Sequence, residues 1–257
     1  MNKLSAVIIT YNEERNIKRC LDSLIGVADE IVVVDSYSTD KTKEICEQYP
    51  IVRFIEHEFE GYIEQKNWAR LQATYDLVLS LDADEALDET LKQSILKVKE
   101  NTDADGYTMN RLTNYCGTWV RHSGWYPDKK LRLWFKDKGQ WTGLNPHDKF
   151  EMVEGAVIKH LKGNILHYSY YTLDDHYKQI EKFTTILADS MYKRNIKSST
   201  FKIMYKSAFK FFRDYIIKLG FLDGKAGWLI AKNSAYATYL KYYKLKKLYE
   251  AKEEKSA

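Results

Sequence analysis

The chain is poor in cysteine, and it lacks long apolar runs. Cys20, Cys46 and Cys116 are its three cysteines. Their wide spacing matches neither a zinc ligand pattern nor a redox pair, and their odd number argues against a closed disulfide framework. A reducing cytoplasm is the simplest setting for them. The longest stretch free of Asp, Glu, Lys and Arg runs only from Gly163 to Leu173, well short of the roughly 20 residues that span a bilayer. No transmembrane helix is therefore expected. Residues 1–10 have too short an apolar run for a secretory signal and no small-residue cleavage site, so they read as a first strand. There is no GxG anywhere and no GxxxxGK[ST] after any strand, which excludes the backbone phosphate cradles of dinucleotide enzymes and P-loop proteins. Internal repeats and low-complexity tracts are absent too.

What is present describes a chain that folds. It has 257 residues, 44% hydrophobic and 30% charged, enough for one large α/β domain or a domain with a helical extension. Aromatic residues make up 14%, with 20 Tyr and 6 Trp, which suits a packed core first and sugar faces or membrane interfaces second. Charge is uneven. Residues 193–250 hold 14 basic and 3 acidic side chains, whereas residues 1–192 hold 24 basic and 31 acidic. The basic segment must face water or an anionic partner.

Apolar runs at Leu4 to Thr10, Ile31 to Asp35, Val52 to Ile55 and Leu77 to Asp82 alternate with helical periodicity, which predicts βαβ units and a largely parallel sheet. The first helix is expected after Asn12 as its cap, with Ile17, Leu21, Leu24 and Ile25 on one face and Gly26 as its stop. Further helices are expected from about Ser38 to Asp40 onward, over Tyr62 to Ala73 and over Glu89 to Lys99. From Gly106 to Leu166 the apolar stretches shorten, among them Leu131 to Phe135 and Ala156 to Ile158, and predict a mixed sheet with long loops. After Thr172 the pattern is helical, over Asp174 to Lys193, Phe201 to Leu219 and Ala226 to Glu250, with a break at Gly220 to Gly224. The expected division is a catalytic domain over residues 1–172, made of a nucleotide-binding half (1–100) and an acceptor half (101–172), followed by a helical region over 173–257.

In a parallel sheet, ligands bind beyond the carboxyl ends of the strands. Those ends are polar at Thr10, Tyr11 and Asn12, at Asp35, and at Asp82, Asp84 and Glu85. Each alone could be a turn or cap, but three together favour a ligand site. Asp82 and Asp84, one residue apart at a strand end, can hold a hard divalent ion whose other positions take water and phosphate oxygens, and that ion would neutralise a departing diphosphate.

Four segments carry a resemblance: Val7-Ile8-Ile9-Thr10-Tyr11-Asn12-Glu13-Glu14, Val33-Val34-Asp35-Ser36-Tyr37-Ser38-Thr39-Asp40-Lys41-Thr42, Gln65-Lys66-Asn67-Trp68-Ala69 and Leu81-Asp82-Ala83-Asp84-Glu85. In that order the chain resembles glycosyltransferase family 2, whose fold is the GT-A nucleotide-diphospho-sugar transferase domain, a mostly parallel α/β sheet flanked by helices. Its second half is similar to one branch, the β-1,4-glucosyltransferases of the lipopolysaccharide core. The marks there are Tyr126-Pro127-Asp128, Arg132, His147-Asp148, His167-Tyr168-Ser169-Tyr170 and Gly220-Phe221-Leu222-Asp223-Gly224. The resemblance spans about residues 3–245.

It implies an inverting, metal-dependent hexosyltransferase, adding glucose by analogy, that uses a nucleotide-sugar donor, a UDP-sugar before others, and Mg2+ or Mn2+. Thr10, Tyr11, Asn12 and Glu13 would line the donor, with Tyr11 near the base and Asp35 on the nucleoside. Gln65, Lys66 and Asn67 would face the donor from a helix. Asp82, Ala83 and Asp84 would carry the ribose and metal-diphosphate contacts. Many relatives have a second aspartate where this chain has Ser36. Inverting transfer needs a base opposite the leaving group, so that the acceptor hydroxyl loses its proton as it attacks C1. Asp148 is the expected base, at a position where the branch usually carries HisGlu, and Asp128 is the runner-up. Arg132 can grip two diphosphate oxygens with its planar guanidinium. His167 could be a third metal ligand, a phosphate donor or a core histidine.

In Phe201 to Leu219 apolar and aromatic residues recur at helical spacing, with Lys202, Lys206, Lys210 and Arg213 on other faces. Such a helix either dips into anionic lipid headgroups or packs on the catalytic domain with a solvated basic face. No recognised nucleic-acid motif accompanies the charge, and no nucleic-acid partner is expected. The expectation is thus a cytoplasmic enzyme held peripherally at the inner membrane, acting on a lipid-linked or lipopolysaccharide-core acceptor. A sugar nucleotidyltransferase is a second possibility, although the Lys-containing phosphate loop that such enzymes carry is replaced here by Tyr11-Asn12-Glu13-Glu14-Arg15. A non-catalytic nucleotide-sugar-binding protein docked on the membrane is a third.

Overall fold

The computed structural model describes residues 1–144 and 147–254. Its strands are β1 (Leu4–Thr10), β2 (Glu30–Asp35), β3 (Val52–Glu56), β4 (Leu77–Asp82), β5 (Glu85–Leu87), β6 (Gly106–Tyr115), β7 (Thr118–Trp119), β8 (Asp128–Phe135), β9 (Gly139–Leu144), β10 (His147–Met152) and β11 (Ile158–Tyr170). Its helices are α1 (Ile17–Leu24), α2 (Thr42–Cys46), α3 (Tyr62–Leu71), α4 (Glu89–Glu100), α5 (Leu173–Lys193), α6 (Thr200–Phe212) and α7 (Gly224–Glu254). The chain divides into two compact units, one of residues 1–112 and 128–168, the other of residues 113–127 and those from Ser169 onward.

The first unit is built on a sheet ordered β3-β2-β1-β4-β8-β6-β11-β5. β1 lies parallel to both β2 and β4, and β2 parallel to β3. Beyond β4 the pairings of β4 with β8, β8 with β6 and β11 with β5 are antiparallel. β9 and β10 form a separate antiparallel hairpin.

β1, β2 and β4 are buried on both faces, which is why they read as unbroken apolar runs. Alternation sends Leu4, Ala6, Ile8, Ile31, Val33, Leu77, Leu79 and Leu81 to one face, where Ile17, Cys20, Leu21 and Leu24 of α1 and Leu91, Ile95 and Val98 of α4 cover them. Val7, Val32, Val34 and Val78 point to the other, against Ala69 and Ala73 with Trp134, Trp141 and Phe150. Two packed faces leave one opening for chemistry, at the strand ends.

The loops after β1 and β2 depart from the sequence reading. α1 begins at Ile17, behind Asn16. Asn12 does not cap it. Asn12 sits at φ 53°, and its side-chain carbonyl accepts from the Thr39 amide at 2.8 Å. It thereby pins the β2–α2 loop to the β1 end. α2 is one short turn rather than a helix from Ser38, because the Asp40 carboxylate accepts from Thr42 and Glu14 amides and holds that stretch as a turn. Ala156 and Val157 precede β11 rather than forming a strand of their own.

The second unit consists mainly of α5, α6 and α7 with the short pairing of Asn114 and Tyr115 to β7. α5 opens on a capping box, Thr172 with Asp175. α6 runs into a π-helical turn at Arg213–Ile217. Among the described residues no helix is long and apolar enough to cross a membrane.

Candidate active site

Asp82 is the last residue of β4. Its Oδ2 accepts from Arg132 Nη2 at 2.8 Å and its Oδ1 lies 3.0 Å from Lys66 Nζ. Burial pushes the Asp82 carboxyl up, but the Arg132 and Lys66 charges outweigh it and hold the group well below the usual carboxylate range. Arg132 comes from β8, the strand beside β4, and is 3% exposed. A buried guanidinium persists only when its charge is met. Here Glu85 meets it too, at 3.0 Å, from a position just past the strand end. Burial disfavours the Arg132 charge, yet Asp82 and Glu85 together favour it more.

The charges continue on both sides. Glu85 Oε1 also lies 3.5 Å from Arg111 of β6, whose Nη2 binds Asp128 at 2.8 Å. On the other side Lys66 of α3 donates to Asp148 Oδ2 at 2.9 Å. Asp128, Arg111, Glu85, Arg132, Asp82, Lys66 and Asp148 thus form one line of alternating sign. Trp141 of β9 floors part of it, with Lys66 Nζ 4.6 Å and the Arg132 guanidinium carbon 5.6 Å from its ring centre. Asn67 fixes that floor, donating to the Trp141 carbonyl and accepting from the Trp141 amide, both at 2.9 Å.

The remaining strand-end residues sit around this line. Thr10 is buried, and among the described residues its hydroxyl has no hydrogen-bond partner. Tyr11 is exposed. Asp35 is buried and turned back on its own loop, its two oxygens accepting from the Ser38 amide at 2.7 Å and the Ser38 hydroxyl at 2.5 Å. Gln65 is buried, its side-chain oxygen accepting from His57 Nδ1 at 2.9 Å, and its amide nitrogen donates to the Ser36 hydroxyl at 3.2 Å. Glu13 accepts from Asn16 at 2.7 Å. Burial pushes its carboxyl up to about 7, the Asn16 hydrogen bond opposes that, and Asp84, Asp40 and Asp82 add to it.

Ala83 is buried between the two aspartates. Asp84 meets β11, where its Oδ2 lies 3.2 Å from His167 Nε2. Among the described residues no group of three or more His, Cys, Asp or Glu converges as a metal site. The Asp84–His167 pair still fits a divalent ion. Adjacent ligands at about 2.1 Å from an octahedral ion stand roughly 3 Å apart, and Mg2+ in particular is held by one or two protein groups with water and phosphate oxygens filling the rest.

A model of Glycosyl transferase family 2 matches residues 5–210. The chain belongs to that family. This glycosyltransferase is 28% identical over 243 residues to the lipopolysaccharide core biosynthesis glycosyltransferase LpsC of Rhizobium meliloti, covering 92% of this chain and 89% of LpsC. It is also 28% identical over 258 residues to the uncharacterized glycosyltransferase RT0209 of Rickettsia typhi, covering 96% and 88%. Among solved structures, residues 1–349 of Staphylococcus aureus TarS with UDP align over 97% of this chain and 91% of that one, at 18% identity and a TM-score of 0.48. Membership decides between the enzyme classes weighed from the sequence: the chain is a glycosyltransferase, not a nucleotidyltransferase.

In this family 2 glycosyltransferase Lys66, Asp82, Arg132 and Asp148 come together in direct contact, and Asp84 meets His167. Asp35, Asn12 and Gln65 are engaged in loop and strand-end hydrogen bonds, and Asn67 in holding Trp141. Three participants were not singled out from the sequence. Glu85 was noted only as a polar strand end, and Arg111 and Trp141 were not named. The usable signal for Arg132 was a cation between Leu131 and Leu133, since a buried strand position carries a charge only to meet another.

Proposed function

We propose that this glycosyltransferase moves a hexose, glucose in the first instance, from a UDP-sugar to a lipopolysaccharide-core or other lipid-linked acceptor. Transfer proceeds with inversion at C1, with a divalent ion, Mg2+ or Mn2+, at the cytoplasmic face of the inner membrane. The observation that carries the reading is Lys66, whose ammonium touches both Asp148 and Asp82. One buried cation ties the candidate base to the donor-side strand end.

Asp148 gives one oxygen to Lys66, and among the described residues nothing donates to the other. That free oxygen can take the proton of an acceptor hydroxyl as its oxygen attacks C1. The bond from C1 to the diphosphate oxygen breaks, and the electron pair leaves with the nucleoside diphosphate. Lys66 holds the base in place. Arg132 presents Nη1, buried and without a partner among the described residues, as a donor for a phosphate oxygen. Asp84 and His167 would hold the divalent ion, which supplies Lewis-acid charge to the departing diphosphate. Asp128 has both oxygens engaged, by Arg111 and by Lys130, which supports Asp148 over it as base.

The lipopolysaccharide acceptor rests on the relation to LpsC and on the motif resemblance. Membrane association is supported by α6, where Phe201, Met204, Tyr205, Phe209 and Phe212 are all exposed beside Lys202, Lys206 and Arg213. An exposed aromatic face rimmed with cations suits an anionic bilayer surface.

The decisive experiment measures Asp148→Asn in two assays. Turnover should fall by about 10²-fold or more, as loss of a general base does, while donor affinity by calorimetry stays within a few-fold. Equal loss in both would remove Asp148 from the role of base. Nuclear magnetic resonance of the product's anomeric proton should show the configuration opposite to the donor's, and retention would overturn the mechanism.

A further inference from the structure

α5, α6 and α7 enclose a groove of about 220 Å3 that lies wholly in the second unit and takes no part in the chemistry above. Its wall is mainly apolar, from Ile180, Phe183, Leu187 and Ala237. Two cations stand in its lining, Lys210 and Lys241. Lys210 is paired with Asp214 at 2.7 Å, and Arg213 shares that carboxylate. Lys241 has no carboxylate within salt-bridge distance among the described residues; its ammonium lies 5.0 Å from the Tyr242 ring centre. Burial and the charges of Lys210 and Lys206 depress the Lys241 pKa. The fold therefore gathers Lys206, Lys210, Arg213 and Lys241 against the single charge of Asp214, beside an unfilled apolar channel.

We infer that this groove binds one anionic phospholipid, an acyl chain along the apolar wall and the phosphate between Lys210 and Lys241. Neither half of the site explains the other alone. Surface cations gathered for long-range attraction gain nothing from an apolar channel, and a channel for a neutral chain gains nothing from three lysines that repel one another. An amphiphile with a negative head satisfies both, and the exposed aromatic face of α6 continues the same lipid-facing chemistry. The inference rests on the membrane reading above and narrows it from a surface attraction to a defined site.

The test uses the full chain and dihexanoyl phosphatidylglycerol below its micelle concentration, followed by calorimetry. Wild type should bind it at least tenfold more tightly than glycerophosphoglycerol, since each methylene removed from water is worth about 0.8 kcal/mol, or roughly fourfold. Dihexanoyl phosphatidylcholine should bind several-fold more weakly than the phosphatidylglycerol. Ala237→Trp, which fills the channel, should abolish the preference for the acylated ligand, and Lys241→Gln should abolish the preference for the anionic head. Melting curves verify that both variants fold. Equal binding of glycerophosphoglycerol would mean a phosphate site without a chain, and equal binding of the phosphatidylcholine an apolar site without a headgroup; either overturns the inference. So would a wild-type dimer in sedimentation that Ala237→Trp dissociates, because the groove would then hold a second copy. If wild type binds phosphatidylglycerol vesicles while Ala237→Trp binds the short-chain lipid as well as wild type does, the groove fails and the membrane reading stands. Absence of vesicle binding by wild type ends the membrane reading itself.

Discussion

Replacing Glu13 by glutamine removes a carboxyl that the fold keeps partly protonated at neutral pH. Burial is the main cause, and the neighbouring charges of Asp84, Asp40 and Asp82 add to it. Raising a carboxyl from 4.5 to about 7 corresponds to about 3 kcal/mol of preference for the protonated form. The sign follows from linkage: a group whose folded value lies above its unfolded value contributes stability that is complete below pH 4.5 and is lost as pH rises through about 7. Glutamine cannot titrate. The stability of Glu13→Gln relative to wild type should therefore rise by about 2–3 kcal/mol between pH 5 and pH 8, a change of roughly 5–10 °C in relative melting temperature for a chain of this size. Scanning calorimetry of both proteins across that range reads it directly. Because Asp82 and Asp84 contribute to the shift, Mn2+ added at pH 8 should narrow the gap. Parallel pH profiles for the two proteins would show that Glu13 is solvated and that the loop after β1 does not bury it.

Two further outcomes follow from the charge line and a third from the exposed face of α6. Lys66→Met leaves Asp148 without a cation and should cost about 3 kcal/mol of stability, as breaking a buried pair does; combined with Asp148→Asn, urea unfolding should recover 1–3 kcal/mol of that as coupling, and strict additivity would separate the two residues. Asp82→Asn should destabilise at pH 7 and much less near pH 2, because a depressed carboxyl contributes above its unfolded value, about 3.9, and loses that as pH falls through the folded one; an unchanged difference at both pH values would mean that Arg132 and Lys66 do not hold the carboxylate. Phe201→Ser with Phe209→Ser should weaken binding to phosphatidylglycerol vesicles in flotation without altering donor affinity, and unaltered flotation would place the α6 face off the membrane.

The fold was legible where one interaction dominated. β1, β2 and β4 are buried on both faces, so their sequences announce themselves as apolar runs ending in Thr10, Asp35 and Asp82. α3 and α4 match the expected spans almost to the residue because amphipathic periodicity suffices to define them. β5 was not legible. Glu85-Ala86-Leu87 is too short to show a period, and its pairing with His167-Leu166-Ile165 lies about eighty positions along the chain. Asn12 misled for a related reason: a short amide after a strand serves equally as a helix cap or a loop clamp, and the choice depends on Thr39, brought close only by the fold. The site divides in the same way. Asp82, Asp84 and Arg132 could be named from local context. The Lys66–Asp148 contact, the Asn67 clamp on Trp141 and the Arg111–Glu85 link join distant segments, and no local pattern encodes them.

The charge line also bears on how the enzyme can hold an anionic donor without a glycine-rich loop. Its seven residues carry four negative and three positive charges, so as a whole it does not attract a diphosphate. What it supplies is direction. Glu85 and Asp82 engage the Arg132 guanidinium through Nη2, and Nη1 is buried without a partner among the described residues. Such an orphan costs about 1–3 kcal/mol in the empty protein, and a phosphate oxygen that reaches it recovers that cost with a charge-assisted bond. The same logic sets the order of defects expected on mutation. Removing Glu85 should harm folding before donor binding, because it frees a buried cation. Arg132→Lys, which can keep a charge near Asp82 but cannot present a second nitrogen in a fixed plane, should spare folding more and lose donor affinity by about tenfold, one charge-assisted hydrogen bond. Calorimetry of the lysine variant with UDP decides the point: wild-type affinity would mean that Arg132 is a structural cation serving only Asp82 and Glu85.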